Sequence, residues 1–343
     1  NQGDQYGQST VPQGLSNVVA IAAGGYHNLA LRNDGTLIAW GRNDFGQANI
    51  PAGLSNVAAI AAGQFYNLVL KTDGTVVDWG GVYVNGGVGV PSGLSNVVAI
   101  AAGDGHSLAL REDGTVVAWG NNGYGEVNVP AGLSNVVAVA AGYYHSLALR
   151  GDGTVAAWGM GQYGATNVPA GLSRVVAISA GHSYSLALKD DGTVVGWGQG
   201  LSIPSGLTSV VAISGGFGGL ALKQDGTAVS LGGIVVPAGL SNVVAVSAFG
   251  RFHALALVDD TRVPGAPYII GQPASQTAPP GSTSVLRVFA TGSAPLTYQW
   301  RKAGVDIPRA TNQWLQLTNV QSADVGNYTV VVSNSYGSVE SQP

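Results

Sequence analysis

Cysteine is absent from this 343-residue chain and methionine occurs once. The first absence excludes a disulfide scaffold, a thiolate metal site and a cysteine nucleophile together. Charge is scarce too: 9% of the residues are Asp, Glu, Lys or Arg, where an average soluble domain has about 25%. The 14 cations and 18 anions leave a net charge of −4, and no Lys/Arg cluster exceeds two residues. A phosphate-binding surface needs a basic stripe, so nucleic acid is not an expected partner. No apolar run approaches about 18 residues without Gly or charge, so membrane insertion is not expected either. Neither an initiator Met nor a signal-peptide pattern opens the chain, and a processed or trimmed part of a longer polypeptide is expected.

Glycine, by contrast, is abundant at 53 residues, and it punctuates a repeat. The unit GLSNVVAIAAGGYHNLALRNDGTLIAWGRNDFGQANIP begins at Gly14, and its Gly-Leu-Ser/Thr marker returns at Gly53, Gly93, Gly132, Gly171, Gly206 and Gly239. Each unit holds three short apolar runs without helical spacing. Asp-Gly lies between the second and third, the dipeptide of a tight hairpin because both residues tolerate positive φ. In VVAIAAG one face carries small apolar residues and the other large ones. A strand apolar on both faces suits a small sheet sandwiched between neighbours, as in a propeller. A ring also needs no polar capping repeat. The expected fold is all-β: a seven-bladed β-propeller over residues 1–262.

The copies are not complete. Seven NVVAI-type runs start at Asn17, Asn56, Asn96, Asn135, Arg174, Ser209 and Asn242, but only six Asp-Gly-Thr runs follow. NQGDQYGQSTVP (Asn1–Pro12) matches WGRNDFGQANIP (Trp40–Pro51), while VDDTRVPGAP follows the seventh HALAL run with two prolines that forbid a central strand. The third strand of the seventh unit is therefore expected from just upstream of Asn1, from another segment, or from another chain.

AGGYHNLALRNDGTLIAWGRNDFGQ, with its Gly-x-x-His-x-Leu-Ala-Leu and Asp-Gly-x-(x)₃-Trp-Gly signatures, resembles the repeat of the regulator-of-chromosome-condensation family. The compact units and the N-V-P-A-G-L phrase look most like short secreted bacterial members, among them a β-lactamase inhibitor protein. Leu231 stands where the repeat has Trp, and Tyr66 where it has His. After a short linker at 263–267, residues 268–343 resemble an immunoglobulin-like β-sandwich, through Trp300 in TYQW and the D-x-G-x-Y of Asp324, Gly326 and Tyr328. The resemblance implies a core position for Trp300 and a tyrosine corner at Tyr328. It places Val288 and Val330 at the two cysteine positions, where apolar packing replaces the bridge. The closing SVESQP is expected to leave the last strand incomplete.

Candidate chemistry is thin. His27, His106, His145 and His253 occupy one equivalent place per repeat. A ring spreads such residues apart, so a structural role such as bonding a neighbouring backbone group is expected rather than metal binding or catalysis. His182 is off register and expected to be exposed. One Asp per hairpin (Asp34, Asp73, Asp113, Asp152, Asp191, Asp225) is turn chemistry, not a calcium cage. GMGQYG (Gly159–Gly164) is followed by NVPAGL instead of a helix, which removes a dinucleotide reading. No G-x-S-x-G or carboxylate pair stands out. Neither catalytic residues nor a metal or cofactor is expected. The irregular loop aromatics are more informative, because Tyr, Phe and Arg anchor protein interfaces. Tyr143, Tyr144, Phe217, Arg251 and Phe252 are the candidate protein-binding set, while Tyr6, Phe45, Tyr124 and Tyr163 repeat regularly and read as structural. The best functional reading is a non-catalytic extracellular or cell-surface structural or adhesion protein, with head-to-tail self-association or another extracellular protein as its partner. A secreted inhibitor or sensor is second, and an exchange factor for a small GTPase third.

Overall fold

In the computed structural model, residues 4–81, 89–250, 253–259, 266–273, 275–291 and 296–343 are described. Among them, seven small antiparallel sheets follow one another along the chain. Sheet one shows how the sequence builds each. Pro12-Gln-Gly-Leu15 turns with Gly14 at φ 75°, and the Leu15 N–H donates to the Pro12 carbonyl (3.3 Å). Asn17 then takes a left-handed conformation (φ 57°), which Asn tolerates better than other residues. Its carbonyl accepts from the Asn33 N–H (2.9 Å), tying the start of the first strand to the far hairpin. The first strand, Val18–Ala23, pairs with His27–Arg32, and that strand with Leu37–Gly41. Between the last two, Asp34 Oδ1 accepts from both the Thr36 N–H (2.9 Å) and its hydroxyl (2.6 Å). The hairpin aspartates are turn formers, as their isolation in the sequence implied.

Packing lies between sheets. Ala22, Leu29 and Leu31 of sheet one cluster with Val57, Ala62, Val69 and Trp79 of sheet two. Comparable clusters join each later pair through to sheets six and seven. The two-sided apolar strands exist for this, since each sheet is covered on both faces. The first strands touch one another in sequence, and Val18–Ala23 also touches both strands of sheet seven, Val243–Ser247 and Leu255–Val258. There the Ala23 N–H donates to Ser247 Oγ (2.9 Å).

Sheet seven differs: among the described residues it has two strands where the other six have three. In the tail, Trp300, Val288 and Val330 are all fully buried in one core, so apolar packing does stand at the two cysteine positions. The Tyr328 hydroxyl donates to the Asp324 carbonyl (2.7 Å), closing the tyrosine corner. The last strand, Gly337–Glu340, pairs with the end of Tyr328–Asn334, and the Ser341 N–H extends the contact to the Val330 carbonyl (2.9 Å). Of the expected linker, 263–265 lie outside the described residues. The tail rests on the propeller: Phe289 packs against the cluster between sheets five and six, and Arg287, Gln313 and Trp314 face Lys189 and Asp190 across a small cavity.

Candidate interaction face

Three up-and-down strands put the loops after the first and third strands at one end of each sheet, and the Asp-Gly hairpins at the other. The two ends differ chemically. The hairpin end carries Arg32, Lys71, Arg111, Arg150, Lys189 and Lys223, each followed two residues later by an aspartate. Exposed pairs form there, such as Lys71–Asp73 (3.1 Å) and Lys223–Asp225 (3.0 Å). At the opposite end, Arg42 is the cation among the described residues of the sheets. Its guanidinium sits 4.8 to 5.6 Å from the ring centroids of Tyr6, Tyr26, Phe45 and Phe65 while Asp44 holds it at 2.9 Å.

Aromatics dominate this end. Phe45–Phe65 and Tyr124–Tyr144 pair with centroids 5.2 Å apart, and Tyr6–Tyr26 at 5.7 Å. In the first two pairs a ring from the loop after one third strand meets a ring from the next sheet's first loop, and Tyr6, ahead of sheet one, meets that sheet's first loop in the same way. Tyr124 of the regularly repeating aromatics is thus a partner of Tyr144 of the candidate set. Where the first loops meet, Tyr143 stacks on Phe249 (5.2 Å, 14°) and meets Phe217 edge-on (4.9 Å). His182 lies 4.5 Å from Phe217 and 4.9 Å from Tyr143, half-buried where the sequence suggested exposure. The first loops converge because their N–H groups bond the next sheet's glycine carbonyl, as from Tyr143 to Gly181 (3.2 Å) and from His182 to Gly216 (2.9 Å).

Of the candidate contact residues, Tyr144 and Phe217 are half-buried at this end, while Tyr143 is only 3% exposed and forms the floor beneath them. A side chain at the point of convergence is covered by its neighbours, which a single repeat cannot reveal. Arg251 and Phe252 lie outside the described residues. The sequence reading passed over Arg42 and Phe249. The first is flanked by loop aromatics, and the second displaces the glycine of the Ala-Ala-Gly step, so each had a visible signal.

The repeat histidines form a belt between sheets. His27 Nε2 donates to Asn67 Oδ1 (2.8 Å) and His253 Nε2 to Asn28 Oδ1 (2.7 Å). His106 pairs with Ser146 Oγ (3.0 Å) and His145 with Ser185 Oγ (2.9 Å). The Tyr66 hydroxyl, in the place of a histidine, donates to the His106 carbonyl (2.5 Å) and lies 3.0 Å from Ser107 Oγ. The partner is thus chiefly a side chain of the next sheet, not a backbone group. Gly24 makes room for the ring: a Cβ there would come within 2.4 Å of His27 Cε1. Burial pushes His27, His145 and His253 down to about 4 and His106 to about 3. All four stand neutral at pH 7, each in or just ahead of a strand of a different sheet. Among the described residues no three metal-ligating side chains group together.

The sequence profile described as the Regulator of chromosome condensation (RCC1) repeat matches residues 18–47, 97–126, 136–165 and 175–202, and the Immunoglobulin domain profile matches 266–334. The chain carries RCC1 repeats in its N-terminal region and an immunoglobulin-like domain at its C-terminus. Among solved structures it is similar to Prp20p from Saccharomyces cerevisiae, at 22% identity and TM-score 0.59 over 70% of this chain and 82% of that one. That protein was studied for its binding to Gsp1p and histones. It is also similar to the CRINKLY WD40 ectodomain of the Arabidopsis thaliana receptor kinase ACR4, at 21% identity and TM-score 0.59 over 74% of this chain and 93% of that one. At such identities the likeness is one of fold. The basement membrane-specific heparan sulfate proteoglycan core protein of Mus musculus is 38% identical over 81 residues, which are 23% of this chain and span 2% of that relative.

Proposed function

We propose that this chain is a non-catalytic, extracellular structural or adhesion protein that engages protein partners through the aromatic end of a closed seven-bladed ring. RCC1 repeats joined to an immunoglobulin-like domain suggest a protein-interaction module, and the finer reading rests on the contrast between the two ends. One end is charged, self-paired and partly covered by the tail; the other is aromatic. Tyr124 (51% exposed), Phe45 (38%) and Tyr163 (37%) are exposed at this end, and Tyr144 and Phe217 are half-buried there. Rings held by other rings lose little freedom on binding, which is what an interface anchor requires. An ectodomain among the similar structures and a basement-membrane protein among the relatives favour a setting outside the cell.

Self-association measured by sedimentation and negative-stain microscopy tests this reading. Tyr144→Ala and Phe217→Ala should each weaken assembly by ~1–3 kcal/mol with little change in melting temperature. Lost stability with unchanged assembly would make the rings packing only. A secreted inhibitor or sensor is the second reading, favoured by the concentration of irregular aromatics in sheets four to seven. It predicts a monomer that loses one partner with the same substitutions.

A further inference from the structure

Glu126 is a carboxylate with only 1% exposure, and no turn of this fold needs its charge. Its Oε2 accepts from the Tyr124 N–H (2.8 Å). In two earlier copies an amide makes the same bond: Gln8 Oε1 accepts from Tyr6 (3.1 Å) and Gln47 Oε1 from Phe45 (2.9 Å). In the next copy Ala165 has no polar side chain, yet its carbonyl still receives Ser185 and Trp197, each at 2.8 Å. The Glu126 carbonyl receives Ser146 (2.9 Å) and Trp158 (2.7 Å) in the same way. A buried carboxylate costs more than a buried amide unless a cation faces it. Among the described residues none of the ion pairs involves Glu126.

The same end of the molecule already holds one cation against rings of this kind. The Arg42 guanidinium lies 4.8 Å from the Tyr6 centroid and 5.3 Å from that of Phe45, with Asp44 as its acid (2.9 Å). Tyr6 and Phe45 are the counterparts of Tyr124 in the repeat. Sheet three carries Asn121 where sheet one has Arg42, and Gly123 where it has Asp44. Asn121 is short and turned back into its own loop, its Oδ1 accepting from the Gly123 N–H (2.9 Å). Tyr124 meanwhile is braced by Tyr144 at 5.2 Å and keeps 51% exposure, more than Phe45 or Tyr163. This copy has thus kept the ring, lost the internal cation and gained a carboxylate bonded to the ring's own backbone.

We infer that the exposed face of Tyr124, backed by the Glu126 carboxylate, is a binding site for an arginine side chain of the protein partner. The guanidinium lies on the ring as Arg42 lies on Tyr6, drawn by the ring's negative face. Glu126 adds a charge that water screens little, because the carboxylate is buried. A planar guanidinium suits the ring better than a compact ammonium does. The inference rests on the aromatic end being the interaction face, and it gives that face a charge preference: a basic partner surface over an acidic one.

The test adds N-acetyl-arginine amide, or the neutral N-acetyl-citrulline amide, to the full chain carrying isotope-labelled tyrosine. The Tyr124 ring signals, assigned by their loss in Tyr124→Phe, should shift with the arginine probe and not with citrulline at equal concentration. Glu126→Gln should reduce that shift at least about twofold. Its melting temperature should hold or rise, because an amide already serves at Gln8 and Gln47. Asn121→Arg should abolish the shift by setting a guanidinium where Arg42 stands in sheet one. Equal shifts with the citrulline probe, an undiminished shift in Glu126→Gln, or no shift in the parent chain would overturn the inference. The Glu126→Gln arm decides the matter if Asn121→Arg does not fold. Assembly weakened by Tyr144→Ala without any response to the probe removes this site alone. A response to the probe with assembly unchanged by Tyr144→Ala supports the site and removes the self-association reading.

Discussion

Seven residues in the left-handed region, one ahead of each first strand, decide where every sheet begins. Their φ values run from 54° to 60°, and five are asparagine: Asn17, Asn56, Asn96, Asn135 and Asn242. The exceptions, Arg174 and Ser209, bear the cost of a side chain in a conformation that asparagine tolerates best. Arg174 has a compensation, its guanidinium lying 2.7 Å from Asp190. Ser209 has no such ion pair, yet its carbonyl must still accept from the Gln224 N–H (2.8 Å). Ser209→Asn should therefore raise stability by roughly 0.5 kcal/mol, and Ser209→Val should lower it. Denaturant midpoints check both. The positions were legible as the Asn of each Leu-Ser-Asn step, but only the backbone shows that they are left-handed and why substitution matters there.

Between elements, the belt of histidines makes the contact between sheets sensitive to acid. Each folded-state pKa lies below the ordinary histidine value of 6.5. Above pH 6.5 both folded and unfolded chains hold neutral rings, and stability is full. Between about 6.5 and 4 the unfolded chain binds protons that the folded chain refuses, so stability falls as pH falls. The slope is up to about 1.4 kcal/mol per pH unit for each of the four rings. Urea unfolding from pH 7 to pH 4.5 should show that slope, and His106→Gln should reduce it by one proton. A flat profile would mean the rings are not buried neutral. The sequence showed a histidine at one fixed place in four of the seven repeats. It could not show the acceptor about 40 residues on in the next sheet, because that pairing depends on the angle between sheets and not on the strand's own pattern.

Across the whole molecule, the described cations of the sheets other than Arg42 lie at the hairpin end, and the tail packs against that end. Arg287 loses solvent at the contact, which pulls its pKa below the usual arginine value, while the Asp190 carboxylate pushes the other way. Phe289 is the apolar part of the same contact, set against Gly271 and the cluster between sheets five and six. Phe289→Ala should cost about 1–3 kcal/mol at this junction. Calorimetry should then show two separate unfolding transitions, and small-angle scattering a larger radius of gyration. A single unchanged transition would mean that the tail is held by the chain connection alone.

The sequence by itself determined the local grammar of this protein: the strands, the Asp-Gly turns, the two-sided apolar faces that demand covered sheets, and the valines that replace a disulfide in the tail. All of these follow from residue type and short-range spacing. Tertiary structure decided which groups meet. Tyr143 was legible as a loop aromatic, but its burial under Tyr144, Phe217 and Phe249 arises only where four loops converge. His27 was legible as a repeat residue, but its acceptor Asn67 belongs to the next sheet, and no strand carries its neighbour in its own sequence.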